Sequence, residues 1–161
     1  MTKNKNKKVL FISSTGGHFN ELLQLKPLFE KYDYHIITEK DDMTKAFKEK
    51  YKDKISYVLY GTRAHMLKYI FQFIINCFLS VILFIKIRPE YIVTTGTHTA
   101  GPICVLGKIF GKKIVFIETF ANKHTKTATG RIIYKFADLF IVQWEEMLEI
   151  YPDAVLGGSI Y

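Results

Sequence analysis

Short apolar runs and longer amphipathic stretches alternate along almost the whole chain, and this alternation limits the fold more than any single motif. Lys8–Ser13 (KVLFIS) has the pattern of a buried strand. Next comes His18–Tyr32, where Phe19, Leu22, Leu25, Phe29 and Tyr32 recur at spacings of three and four and predict a helix. Strands are then expected at Tyr34–Thr38, Ser56–Tyr60, Tyr91–Thr95, Lys113–Ile117 and Leu139–Gln143. Between and after them, helices are expected at Met43–Tyr51, His65–Ile87, Thr99–Phe110, Thr127–Phe136 and Trp144–Tyr151. Such a series predicts an α/β fold with a doubly wound, mostly parallel, Rossmann-like sheet. The 161 residues suffice for one domain, read here as 8–161, preceded by a flexible basic tail over 1–7. Its apolar helix is placed at about 65–87.

Several function classes are excluded early. The two cysteines, Cys77 and Cys104, lie in apolar runs without a CxxC or Cys/His cluster, so neither a zinc site nor a disulfide scaffold is expected. The start of the chain lacks the pattern of a secretion signal. A net charge of +8 is concentrated in Met1–Lys8, with four lysines, and in Gly61–Phe116, with seven basic residues against the single acid Glu90. Nucleic acid is not the expected partner, because no RNP-like, helix-turn-helix or zinc-finger pattern accompanies the charge. Basic residues beside apolar ones fit an anionic membrane surface better.

In a doubly wound sheet, ligands bind at the carboxyl ends of the strands. Three strand ends carry chemistry. Ser14, Thr15, Gly16, Gly17 and His18 follow the first strand; two glycines and a helix start suit an anion such as a diphosphate. The same residues also read as a tight turn with a capping hydroxyl. The loop is neither GxGxxG nor GxxxxGK[ST], which removes support for dinucleotide or P-loop binding. Thr94–Pro102 contains Gly96, Thr97 and His98, with hydroxyls and amides suited to phosphate or sugar, or to a capped turn. Glu118, directly after the Lys113–Ile117 strand, either orients a histidine, binds a sugar hydroxyl or caps the next turn. No metal and no cofactor are expected.

Together, STGGH at Ser14–His18, TGTHTAGP at Thr95–Pro102, IETFAN at Ile117–Asn122, TGRIIYKFADLFIVQW at Thr129–Trp144 and YPDAVLGGSIY at Tyr151–Tyr161 resemble one family over nearly the whole chain. This is the membrane-associated subunit of two-part glycosyltransferases. Its eukaryotic members help add the second N-acetylglucosamine to dolichol diphosphate, and its bacterial relatives are "enhancer" subunits for capsule and exopolysaccharide synthesis. The first three stretches are more distantly similar to the amino-terminal half of the peptidoglycan enzyme that makes lipid II. The resemblance implies the acceptor-side half of a GT-B glycosyltransferase. It implies a lipid-diphosphate saccharide acceptor held by Thr15, Gly16, Gly17, His18, Gly96, Thr97 and His98. A separate chain would bind the nucleotide sugar, so this chain alone would be inactive. Histidine's ordinary pKa near 6.5 makes His18 the candidate base. The runner-up is a non-catalytic membrane adaptor that recruits a complete soluble transferase.

Eukaryotic members begin with a membrane anchor that this sequence does not show, so attachment is expected from within the domain. Tyr69–Ile85 holds 17 uncharged residues flanked by Lys68, Lys86 and Arg88. Lys68, Gln72, Asn76 and Ser80, four apart, make a polar stripe that a lipid-surrounded span does not need. An in-plane helix, a core helix and a span are all possible readings; the first is adopted. The expected location is the cytoplasmic face of the membrane, peripheral or monotopic. At the carboxyl end, Leu156, Ile160 and Tyr161 are expected to dock on the partner chain, with a tail folded back on its own domain as the alternative.

Overall fold

The computed structural model describes residues 4–61 and 66–160. Seven strands form one wholly parallel sheet in the order β3-β2-β1-β4-β5-β6-β7. They are β1 (Asn4–Ile12), β2 (Tyr32–Lys40), β3 (Ile55–Leu59), β4 (Tyr91–Thr94), β5 (Lys113–Ile117), β6 (Leu139–Val142) and β7 (Val155–Leu156). The order reverses between β1 and β4, which opens a crevice at their carboxyl ends. The doubly wound fold is therefore as expected.

Side chains alternate across the sheet and build two cores. Leu10, Ile12, Ile92, Ile114, Phe116 and Phe140 point to one side. There they meet α5 (Met66–Ile87), α6 (Gly101–Ile109), α7 (Ala128–Ile133) and α8 (Met147–Ile150). Val9, Phe11, Ile36 and Ile55 point to the other. That side holds α1 (Gly17–Gln24), α2 (Lys26–Lys31), α3 (Asp42–Lys45) and α4 (Phe47–Tyr51). Beyond these helices Tyr91, Val93, Val115, Ile117, Leu139 and Ile141 line an apolar trough of about 460 Å³.

Some element boundaries differ from expectation. The single helix expected at His18–Tyr32 breaks at Leu25, because Pro27 lacks an N–H and crowds the preceding turn. Strand β1 starts at Asn4, so residues 4–7 belong to the sheet rather than preceding it, and Lys7 pairs with Glu90 at 2.8 Å. The final helix shrinks to four residues, and the edge strand β7 was not anticipated. His65, expected to open the apolar helix, lies outside the described residues, as does Tyr161.

Helix α5 inverts the usual amphipathic arrangement. Asn76 and Ser80 are 3% and 2% exposed, and Asn76 Nδ2 and Oδ1 bond the carbonyl and N–H of Leu59 at 2.8 Å each. The Asn76–Ser80 end of the polar stripe therefore faces the sheet, where Asn76 ties the helix to β3. Phe71 and Phe78 are 66% and 67% exposed, and Leu67, Ile74, Ile82 and Ile85 are exposed beside them. The helix packs on the core through Phe84 and Ile87, with Leu79 and Leu83 beside them, and turns its remaining apolar residues outward. Lys68 and Lys86 are exposed and 18 residues apart, about five turns, on one flank of that face. Arg88, also exposed, ends the helix in the left-handed region at φ 52°.

Candidate functional site

The strand ends bring His18, Gly96, Thr97, His98, Glu118, Thr119 and Thr127 into one polar cleft of about 360 Å³. It lies over β1, β4 and β5, at the reversal of strand order. All three predicted loops contribute to it or border it.

His18 opens α1 and is gripped twice by Thr95. Its Nδ1 is 2.8 Å from the Thr95 carbonyl, and the Thr95 hydroxyl donates to the His18 carbonyl at 2.8 Å. A carbonyl only accepts, so Nδ1 carries the proton in the neutral ring. The Nε2 lone pair is then the basic site of the ring. Gly96 sits against this imidazole: a Cβ there would stand 3.4 Å from its Cε1 and Nδ1, and its φ of 97° favours glycine.

Glu21, one turn along α1, was not singled out from the sequence. It is buried; Oε1 accepts the Thr119 hydroxyl at 3.0 Å and the Phe120 N–H at 2.7 Å. Oε2 has no hydrogen-bond partner among the described residues and lies 3.7 Å from His18 Nδ1. The His-x-x-Glu spacing was the available signal, since residues three apart share a helix face.

Glu118 is buried and held on every side. Its carboxylate accepts from the Thr119 N–H at 3.1 Å, the Thr127 hydroxyl at 3.0 Å and the Tyr151 hydroxyl at 3.1 Å. Burial pushes its carboxyl above the usual range, and these donors pull it back. Tyr151 is raised in turn, by burial first and then by the Glu118 charge. Helix α7 closes over the group at Gly130, where a Cβ would fall 2.3 Å from Glu118 Oε2.

Glu39, at the end of β2, is a second buried carboxylate missed in the sequence. It accepts the Thr99 hydroxyl at 2.6 Å and lies 3.5 Å from His98 Nε2. Burial raises its carboxyl, opposed by the Thr99 hydroxyl and by N–H groups of Thr15 and Gly61.

The first loop divides between structure and access. Thr15 directs its N–H to Glu39 and its hydroxyl to Asp41, which also accepts from the α3 N–H of Thr44 at 2.7 Å. Both donors of Thr15 are thus engaged within the fold. Ser14 is buried and bonds the Thr15 carbonyl at 3.3 Å. Gly16 has φ 75°, and added Cβ atoms at Gly16 or Gly17 would meet nothing within 4 Å, so this backbone is open to a ligand. In the second loop, the Thr97 hydroxyl oxygen is buried without a hydrogen-bond partner among the described residues. Among the described residues no three His, Cys, Asp or Glu side chains converge to hold a metal ion.

The carboxyl end packs beside the cleft. Gln143 Nε2 donates to the Glu118 carbonyl at 2.9 Å, and its Oε1 accepts the Ile160 N–H at 3.1 Å. Leu156 lies on the outer strand β7 and is about half exposed.

A family model described as "Oligosaccharide biosynthesis protein Alg14 like" matches residues 9–160. The chain belongs to this family. The mouse protein named UDP-N-acetylglucosamine transferase subunit ALG14 is 27% identical over 99% of this chain and 86% of its own length. The human protein of that name is 26% identical over the same shares. Among solved structures, MurG of Acinetobacter baumannii superimposes with a TM-score of 0.69 at 15% identity, over 87% of this chain and 42% of that one. A UDP-GlcNAc 2-epimerase from Methanocaldococcus jannaschii gives 0.68 at 16%, over 90% and 42%. The chain thus spans under half the length of each, and the likeness shows the fold: a Rossmann-like half of the GT-B architecture.

Proposed function

We propose that this chain is the acceptor-side subunit of a two-component glycosyltransferase working on a lipid-diphosphate saccharide at the cytoplasmic face of a membrane. The observation that carries the reading is the juxtaposition of the polar cleft around His18 with the exposed apolar face of α5. In this reading the diphosphate lies on the backbone of Gly16 and Gly17 and near Gly96, Thr97 and His98. The names of the family's relatives make UDP-N-acetylglucosamine the first donor to test.

The acceptor hydroxyl attacks C1 of the donor sugar. The new O–C1 bond forms as the bond from C1 to the leaving diphosphate breaks, and the hydroxyl proton passes to His18 Nε2. Thr95 fixes the ring and its tautomer. Glu118 positions Thr127 and Tyr151. The nucleotide sugar belongs to a separate chain. The trough over β4–β6 and the half-exposed Leu156 and Ile160 region are the surfaces offered to that chain. Helix α5 lies in the interface plane, with Lys68, Lys86 and Arg88 reaching headgroups. The capsule, exopolysaccharide or lipid-linked oligosaccharide served depends on the acceptor supplied.

Reconstitution tests the reading. The purified chain is expected to show no transfer from UDP-N-acetylglucosamine to a lipid-diphosphate saccharide until a nucleotide-sugar-binding partner is added. Robust turnover by the chain alone refutes the two-component reading. Normal turnover by the complex after loss of the cleft side chains makes the chain a recruiting adaptor.

A further inference from the structure

The polar cleft continues into a second cavity. His98, Ala128 and Thr129 line both the cleft and an apolar groove of about 510 Å³ between α5, α6 and α7. One wall of the groove is a stripe of α5 residues four apart: Tyr69, Phe73, Cys77 and Val81. It runs for about 18 Å at 1.5 Å per residue. Val105 of α6 and Ile132 of α7 face it. The volume falls within the roughly 300–1,000 Å³ that encloses a small organic ligand. Val81 and Ile132 are also exposed on the outside, so the groove opens toward the apolar face of α5.

We propose that this groove takes the first carbons of the acceptor's lipid chain while the diphosphate and sugar occupy the cleft. The inference rests on the acceptor reading given above. An amphiphile with its head in the cleft must lead its tail out through the wall. The shared mouth at His98 and Thr129 is such an exit, apolar on its far side. A chain entering from the α5 face reaches the cleft without crossing water, so its carbons stay out of contact with solvent along the way. A purely polar acceptor has no use for a groove lined in this manner. His98 stands at the junction, with its ring edge against Tyr69 at 5.3 Å and its Nε2 toward Glu39. It marks the point where head gives way to tail.

The test is calorimetric titration of the full chain with inorganic diphosphate, isopentenyl diphosphate and farnesyl diphosphate, each below its micellar concentration. Affinity is expected to rise at least about tenfold from the five-carbon to the fifteen-carbon ligand. Gly101→Leu and Val105→Gln are each expected to remove that gain and leave inorganic diphosphate binding unchanged. Both variants should fold: a Cβ at Gly101 meets nothing within 4 Å, and Val105 is already exposed. Farnesyl diphosphate is also expected to slow alkylation of Cys77, and inorganic diphosphate is not. Cys104 is fully buried, so the signal belongs to Cys77. Equal affinity for the short and long ligands, with Cys77 unprotected, overturns the groove assignment and leaves the cleft assignment standing. So does a chain-length gain that survives both substitutions. Failure of all three ligands to bind overturns the cleft assignment and the groove with it.

Discussion

His18 and Thr95 hold each other by two hydrogen bonds of 2.8 Å, one through the imidazole Nδ1 and one through the threonine hydroxyl. The carbonyl partner sets the tautomer, and the second bond sets where α1 begins relative to β4. His18→Ala in the reconstituted enzyme is expected to lower turnover roughly 10²–10⁴-fold, the range for loss of a general base. Membrane binding and partner binding should persist. Near-normal turnover would demote His18 to a turn residue.

Gly130 allows α7 to close on the Glu118 carboxylate. A methyl group there meets Glu118 Oε2 at 2.3 Å, Thr127 Oγ1 at 2.7 Å and the Tyr151 hydroxyl at 2.7 Å. Gly130→Ala must push apart a buried polar cluster, and overpacking of this sort costs about 1–3 kcal/mol. Thermal unfolding of the two proteins checks it; an unchanged midpoint would show that α7 can slide away freely.

Much of this arrangement was legible in the sequence. Apolar runs placed all six long strands, because a strand of a parallel sheet covered on both faces is apolar at nearly every position. The Gly/His loops stood out because each joins the carboxyl end of a strand to a helix, where such folds bind ligands. Glu21 carried no signal beyond its spacing from His18, and Glu39 carried none. A carboxylate in a helix or at a strand end usually faces water, and only the three-dimensional arrangement buries these two. The polar stripe on α5 was seen, yet the direction it faces was not, since periodicity defines a face without saying what lies against it. The short strand β7 escaped because two residues carry no period.

The α5 reading predicts salt-sensitive membrane binding. Lys86→Glu together with Arg88→Glu reverses two charges at one end of the helix, where each basic residue near an anionic surface contributes about 1 kcal/mol. Binding to phosphatidylserine liposomes is expected to drop at least about tenfold, and wild-type binding to weaken at high salt. Phe71→Ser with Phe78→Ser should weaken binding without that salt dependence. Binding unmoved by all of these would rule out attachment through this face.

His35 offers a pH test away from the cleft. Burial, helped by Lys54, Lys86 and Lys48, lowers its pKa from 6.5 to about 4, and its Nε2 lies 2.9 Å from the Ser56 hydroxyl. The unfolded chain takes up a proton below 6.5 while the folded chain resists until about 4. Stability is therefore present above 6.5 and lost as pH falls across that window. Allowing for partial exposure, the loss is about 1–2 kcal/mol. His35→Gln should flatten that part of the stability profile. An unchanged slope in denaturant titrations at pH 7 and pH 4.5 would show that other groups control acid unfolding.

Gln143 joins the carboxyl end to the cleft. Gln143 bonds the Glu118 carbonyl with its amide N–H and the Ile160 N–H with its carbonyl. Gly157 continues the β6 pairing by donating to the Val142 carbonyl at 2.9 Å, and a Cβ there would strike Ile141 Cγ2 at 2.5 Å. The segment up to Gly157 is thus part of the sheet, and only the last residues can serve as a separate docking element. Removing Gly158–Tyr161 leaves β7 in place and deletes the Ile160 contact. If these residues bind the partner chain, the truncated protein should stay folded and membrane-bound while co-purification and turnover with the partner are lost. Gln143→Ala, with the tail intact, should weaken partner binding less. Partner binding at full affinity after the truncation would place the docking surface elsewhere, on the trough over β4–β6.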